Sequence, residues 1–410
     1  MKGLKKQVRF IGLATGAAVM GDSLLYIVLP LYWQEFGLQS IWQVGVLLGI
    51  NRFIRLPINP LVGYFYTRYP YIVGFFTALF LAVLTTLAYS IFHGFWLLLL
   101  IRILWGITWS FLRLGGILMV LSMAQDSNRG ELMGTYNGTW GIGALVGMLA
   151  GGWGILWIEM KVIYYMFSVL ILVSSLILLT TQKTTPTTID EGPVENHKTH
   201  SAFLDLSWLK DIEVVKLIVS AWSVGFVFFG IIGSILPNII QERIGHELVL
   251  SSVTITAAGV AACLQALRWG WEPYINPYFG RWTDKKGNRS SLFPLLLLTA
   301  SILLGVIAFT EGNTILLLVI IVQLFSSMIV TTSDTLASDY ASTRHQVRTM
   351  TGYTIGIDLG AAFGPLLAFA IYDFGSLTWS ILLASIILLA TGLLWVMFNS
   401  GVINVKNPRS

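Results

Sequence analysis

The sequence predicts an all-α, polytopic membrane protein of twelve transmembrane helices in two pseudo-symmetric six-helix bundles. Three observations lead there. The 410 residues are 55% hydrophobic and 11% charged, whereas a soluble chain is about a quarter charged. Apolar stretches of about 20 residues recur, the length a helix needs to cross roughly 30 Å of hydrocarbon. Short motifs in the first half return in the second.

Taken in order, the apolar stretches place spans at 10–33, 43–66, 71–92, 95–121, 133–157, 162–180, 214–240, 250–280, 290–310, 314–338, 350–373 and 377–398. Helix is the form expected of each, because lipid offers backbone N–H and C=O groups no partners. The basic start MKGLKKQVRF leads into an apolar run without a small-residue cleavage site, so it is expected to stay as the beginning of span 1. Fifteen Trp and fifteen Tyr suit span ends at the headgroup level. The long polar stretch from Gln182 to Glu213 separates six spans from six. The expected division is an N-terminal bundle 1–181, a cytoplasmic linker 182–213 and a C-terminal bundle 214–410.

Charge sets the expected orientation. With both termini inside, Lys2, Lys5, Lys6, Arg9, Arg68, Arg129, Lys183, Lys198, Lys210, Arg281, Lys285, Lys286, Arg289, Arg344, Arg348, Lys406 and Arg409 fall on the cytoplasmic side, and the outer loops hold only Lys161 and Arg243. This is the positive-inside asymmetry, and it holds loop by loop. A multi-pass protein of the cell (inner) membrane with cytoplasmic termini is expected. The net charge of +5 is explained by topology, so no nucleic-acid partner is expected. A single cysteine, Cys263, cannot form an intrachain disulfide or a cysteine metal site.

The repeat is specific. LPLYWQE at Leu29–Glu35 returns as LPNIIQE at Leu236–Glu242, an offset of 207; Asn59, Pro60 and Gly63 return as Asn276, Pro277 and Gly280, an offset of 217. A duplicated six-helix unit is the usual plan of a transporter whose site lies between its halves.

At these residues the sequence resembles the major facilitator superfamily, over essentially the whole chain. The family's loop G-x-x-x-D-[RK]-x-G-R-[RK] is matched by Gly280, Asp284, Lys285, Gly287 and Arg289 in GRWTDKKGNR. The first copy keeps Gly63 and Arg68 but has Thr67, Pro70 and Tyr71 in place of the acid, glycine and arginine. The resemblance implies that the second copy helps to latch the inward side. Arg102, Gly106 and Ser110 in span 4 are similar to an R-x-x-x-G motif linked to proton coupling. Gly360, Gly364 and Pro365 in span 11 are similar to a G-x-x-x-G-P element of drug antiporters, which the family usually places in span 5. Span 5 itself carries Gly134, Gly138, Gly143, Gly147 and Gly151, spaced for close helix approach.

Ionised groups are costly in hydrocarbon, so those in spans are functional candidates. They are Asp22, Arg52, Arg55, Arg102, Arg113, Arg268, Glu272, Asp334 and Asp358, and spans 3, 6, 9 and 12 hold none. In the family fold those four spans face lipid. Asp22 is the expected proton-coupling acid: it is alone among acids in its half and has the apolar Phe229 as repeat partner. An acid that alternates between a dry surrounding and a guanidinium can bind and release a proton. Arg102 or Arg113, eleven residues apart on span 4, is the expected partner. Arg52 or Arg55 is expected to meet Asp358 across a seam and act as a gate. Arg268 and Glu272 stand one turn apart and can satisfy each other. Asp334 lies near a span end and can touch water. Trp105, Trp109, Trp140 and Trp269 either line a binding surface or serve packing.

The expected activity is secondary active transport of a small organic molecule by alternating access, with proton-coupled multidrug-type efflux preferred. Asp22, Arg52, Arg55, Trp109, Arg113 and Asp358 are the expected substrate cavity. Uptake or exchange of an anionic metabolite is the alternative that the N-terminal arginines favour; a transporter-like sensor without turnover is the third. No phosphate loop G-x-x-x-x-G-K-[ST] and no H-E-x-x-H occurs, so neither ATP-driven export by this chain nor a zinc protease is expected. Neither a cofactor nor an enzymatic reaction is expected. The expected partners are a substrate, a proton or other coupling ion and the bilayer, with a monomer sufficient.

Overall fold

The computed structural model describes residues 2–125, 128–181, 211–245, 247–250, 253–286, 289–343 and 346–398. The described residues are helical nearly throughout. Span 1 is α1 (Lys2–Leu31). Span 2 is two helices, α2 (Trp42–Phe53) and α3 (Arg55–Arg68). Spans 3 to 6 are α4 (Tyr71–Ile91), α5 (Phe95–Met123), α6 (Arg129–Gly152) and α7 (Met160–Thr181). Span 7 runs through α8 (Ile212–Val224), a π-helical segment (Gly225–Ile232) and α9 (Gly233–Ile244). Spans 8 to 12 are α10 (Ala257–Lys286), α11 (Arg289–Phe309), α12 (Thr314–Thr343), α13 (Gln346–Phe374) and α14 (Leu377–Met397).

Among the described residues ten helices are long and apolar enough to cross a membrane. The other two predicted spans are 2 and 8, the pair that share the Asn-Pro motif. Span 2 breaks at Ile54 because Pro57 has no N–H to offer the Phe53 carbonyl and its ring crowds that carbonyl. Span 8 is one continuous helix, but it carries Arg268, Glu272 and Arg281 along its length.

Span 8 also begins later than predicted. Residues placed at its start form an antiparallel hairpin of β1 (Glu247–Leu250) and β2 (Val253–Thr256), with Glu247 opposite Thr256. The hairpin occupies 247–256, and the repeat offset rises from 207 before it to 217 after it. The slip in the repeat is therefore this inserted ribbon.

The described chain forms two compact units, Met1–Glu195 with Ser234–Trp269, and Asn196–Gly233 with Gly270–Ser410. The packing units and the sequence repeat thus divide the chain at different places. The expected linker lies outside the described residues up to Asp211. In the first unit α6 lies along α1. A Cβ at Gly143 would overlap the Gly16 backbone, and one at Gly147 that of Met20, so the two helices touch main chain to main chain. Gly134 and Gly138 have nothing within 4 Å of a built Cβ and serve no such contact. Asn238 of α9 donates to the Pro30 carbonyl at 3.0 Å. Ile27, Met148, Ala258 and Ala262 close a small apolar core.

The second unit repeats the contact. A Cβ at Gly364 of α13 would lie within 2.5 Å of both Gly230 Cα and Phe226 O in the π-helical segment, and one at Gly360 would overlap the Trp222 carbonyl. Gly360 and Gly364 stand 217 residues after Gly143 and Gly147. The element in span 11 is thus the repeat copy of the span 5 glycines, and both copies bring the fifth helix of a repeat against the first. Polar staples complete the unit: Trp395 Nε1 donates to Ser220 at 2.7 Å, and Ser301 and Ser385 each donate to the other's carbonyl at 2.8 Å.

Candidate functional site

Asp22 and Arg102 form a salt bridge in the first unit, between α1 and α5. The arginine side chain is 1% exposed and the aspartate 16%, so the cation is sealed while its partner keeps an opening. Arg102 Nε donates to the Leu47 carbonyl of α2 at 2.7 Å. Gly106, one turn along α5, admits that helix: a Cβ there would collide with Ile54 and the Asn51 carbonyl. Tyr26 and Tyr89 lie beside the pair, and Tyr164 of α7 sets its ring 5.6 Å from that of Tyr89. Five helices, α1, α2, α4, α5 and α7, thus converge on one buried ion pair. Of the two expected partners for Asp22, the structure selects Arg102.

Arg113 is occupied elsewhere. Its Nη1 donates to Asn137 Oδ1 at 3.1 Å, and its guanidinium lies 5.2 Å from the Trp140 ring and 6.0 Å from that of Tyr136. Trp140 Nε1 donates to the same Asn137 oxygen at 3.1 Å. The four tryptophans singled out in the sequence form one ladder: Trp105 to Trp109 at 6.4 Å, Trp109 to Trp140 at 5.6 Å and Trp140 to Trp269 at 5.6 Å between centroids. Trp105 is buried in the core, whereas Trp109, Trp140 and Trp269 are half-buried. Packing and an exposed aromatic face are both present, at different rungs.

Arg55 donates to its own helix, to Asn51 O at 3.1 Å and Asn51 Oδ1 at 3.2 Å. Arg52 and Arg55 lie in the first unit and Asp358, half-buried on α13, lies in the second. Arg268 and Glu272 are both half-buried on α10. Asp334 is exposed and accepts from Tyr353 at 2.7 Å, whose hydroxyl also meets Ser333 at 2.9 Å.

In the loop motif, Gly280 has open space around it. The Asp284 and Lys285 side chains and all of Gly287 lie outside the described residues. Arg289 forms a salt bridge with Asp339 of α12. In the first copy an aromatic anchor stands where the family motif has a polar loop: Tyr66 is buried under Gly74 and Gly115 and donates to the Phe111 carbonyl at 2.8 Å. Arg68 lies over the Tyr64 ring at 4.8 Å.

Sequence reasoning missed three groups. Asp339 stands just past the predicted end of span 10. Tyr89 and Tyr164 carry no charge and gave no signal. Lys216 is 3% exposed, bonded to Glu213 at 2.8 Å and to the Phe398 carbonyl at 3.0 Å, with Trp395 beneath it at 4.7 Å. Its spacing from Glu213, one helical turn, was the available sign.

A multi-pass helical bundle with an ion pair held among five helices defines a polytopic membrane protein. The Major Facilitator Superfamily sequence pattern matches residues 11–271 and 274–408, and the chain belongs to that family. The chromaffin granule amine transporter of Homo sapiens is 34% identical over 110 residues, 27% of this chain and 21% of that protein. That of Rattus norvegicus is 32% identical over 114 residues, 28% of this chain and 22% of that protein. The chain therefore matches about a fifth of the length of these relatives. Among solved structures, a bacterial homologue of the human lysosomal transporter Spinster, inward-facing and unoccupied, superposes with TM-score 0.75 at 15% identity over 97% of each chain. A peptide transporter, POT, in complex with sulfate gives 0.74 at 14% identity over 97% of this chain and 94% of the other. These likenesses establish the shared fold.

Proposed function

We propose that this chain is a proton-coupled secondary transporter that moves a small organic molecule by alternating access, in the efflux direction. The observation that carries the coupling is the Asp22–Arg102 pair: a cation without access to water, held to an acid with partial access. An acid that pairs with the guanidinium in one state and parts from it in another can bind and release a proton. Membership of the family and the named transporters among the relatives support transport itself.

In this reading the repeat halves 1–181 and 214–410 open alternately about a central route, joined by the segment 182–213. The chain works as a monomer in the cell membrane with both termini cytoplasmic. Arg52 or Arg55 meets Asp358 at the seam in one state, and the loop of Gly280, Asp284, Lys285, Gly287 and Arg289 latches the inward side. The test is reconstitution into liposomes holding a pH-sensitive dye. Substrate should drive proton movement in the parent. Asp22→Asn should lose it while keeping substrate binding; retained dependence on a pH gradient in that variant rejects the coupling role. A cysteine pair at 55 and 358 that never crosslinks in any state rejects the gate.

A second reading, transport of an anionic compound, is favoured by Arg113. Its guanidinium stands beside half-buried indoles with a neutral amide as a hydrogen-bond partner.

A further inference from the structure

We propose that Trp109, Trp140, Trp269 and Arg113 form a subsite for a planar aromatic ring bearing a carboxylate. It rests on the transport reading for its purpose, but not for its chemistry, which the first unit carries by itself.

The three half-buried indoles meet edge to face at 5.6 Å spacings, an arrangement in which the ring edges are satisfied by neighbours and flat π surface is left over. A planar ring of similar size stacks on such a surface. An aliphatic solute of equal area gains burial but not the aromatic geometry.

Arg113 supplies the polar end. Among the described residues no carboxylate pairs with it, in contrast to Arg102, Arg289 and Lys216, each of which has an acid. Its hydrogen-bond partners are the Tyr136 hydroxyl and Asn137 Oδ1, both neutral, and the amide oxygen is shared with Trp140 Nε1. Asn137 therefore fixes the cation and the central indole relative to each other, and neither neutral partner supplies the anion that the guanidinium lacks. A half-buried guanidinium without an anion is completed by a bidentate carboxylate. An ammonium group on the same ring would meet like charge. The subsite thus selects against amines.

The experiment uses purified full-length protein and three probes of matched shape: naphthylacetate, naphthylethanol and naphthylethylamine. Affinity is read by indole fluorescence quenching and by thermal shift. The acid should bind about tenfold or more tighter than the amine, with the alcohol between. Arg113→Gln should remove that preference by weakening the acid alone, and Trp140→Ala should weaken all three. If Arg113→Gln does not fold, Asn137→Ala replaces it: the charge stays but loses its holder, and acid affinity should drop several-fold. An amine that binds as tightly as the acid overturns the proposal. So does acid affinity indifferent to both polar variants, or no binding of any probe.

Flux separates this from the transport reading. Arg113-dependent binding without movement of naphthylacetate into or out of liposomes leaves the subsite standing and removes transport. Proton-driven flux of another compound, with no Arg113-dependent binding of naphthylacetate, does the reverse.

Discussion

Arg102 reaches Asp22 across 80 residues of chain and makes with it a salt bridge whose two members differ in their access to water. A buried pair of this kind is costly to break from one side only, about 3–5 kcal/mol, because the remaining charge has no compensation. Arg102→Gln leaves an acid that can protonate or hydrate through its opening. Asp22→Ala leaves a sealed cation. Asp22→Ala is therefore expected to lower the thermal midpoint more than Arg102→Gln, and the double variant should melt above Asp22→Ala alone. A double variant that melts below both singles would show that the two residues do not act as a pair.

The glycines of α6 are not equivalent. Gly143→Ala places a methyl group inside the Gly16 backbone, and the helices must separate to admit it. Overpacking costs about 1–3 kcal/mol or more, so this variant should accumulate poorly and melt early in detergent. Gly134→Ala meets nothing within 4 Å and should be neutral or more stable by about 0.5–1 kcal/mol, from the lower backbone entropy of alanine. Equal melting curves for the two variants would contradict the close approach of α1 and α6.

Arg289 and Asp339 tie the start of α11 to α12. Both are partly exposed, with side chains 18% and 32% accessible, so salt should weaken the pair. Arg289→Ala and Asp339→Ala are expected to reduce transport to a similar degree. The exchanged pair Arg289→Asp with Asp339→Arg should recover most of it. Failure of the exchange to exceed either alanine variant would assign Arg289 to another partner in the transport cycle.

The hairpin at 247–256 has no counterpart in the first repeat. Its removal gives the second repeat one offset, 207, from the first on both sides of the deletion. Removal of 247–256 is therefore expected to leave expression, melting temperature and transport within about twofold of the parent. Loss of folded protein would instead give the ribbon a structural role.

Much of this architecture is legible in the sequence, because lipid penalises polar groups heavily and leaves few places for them. Asp22 and an arginine of span 4, Arg102 or Arg113, were recognisable as an expensive pair from their places inside apolar spans. The choice of Arg102 over Arg113 was not, because eleven residues of helix put both on one side but at different depths. At Arg102's level Leu47 and Tyr89 close around it, while at Arg113's level Asn137 and Trp140 are open. The break at Ile54 was not expected, because span 2 was read as one run of 43–66, although Pro57 is its cause. The start of span 8 was misplaced because Leu248, Val249, Leu250, Val253 and Ile255 are as apolar as a span. Periodicity cannot separate a short apolar ribbon from a helix end. The tyrosines around the ion pair left no trace, since an uncharged aromatic is compatible with any buried position.

The glycine contacts between α1 and α6, and between the π-helical segment and α13, leave no pliable side chain in the gap. Main chain cannot change rotamer, and parting these surfaces would open an empty slot with nothing nearby to fill it. Each couple must therefore travel as a single stiff plank. Whatever the protein does mechanically, its joints lie elsewhere, and a spin label on either member of a couple should report the same trajectory as one on its mate.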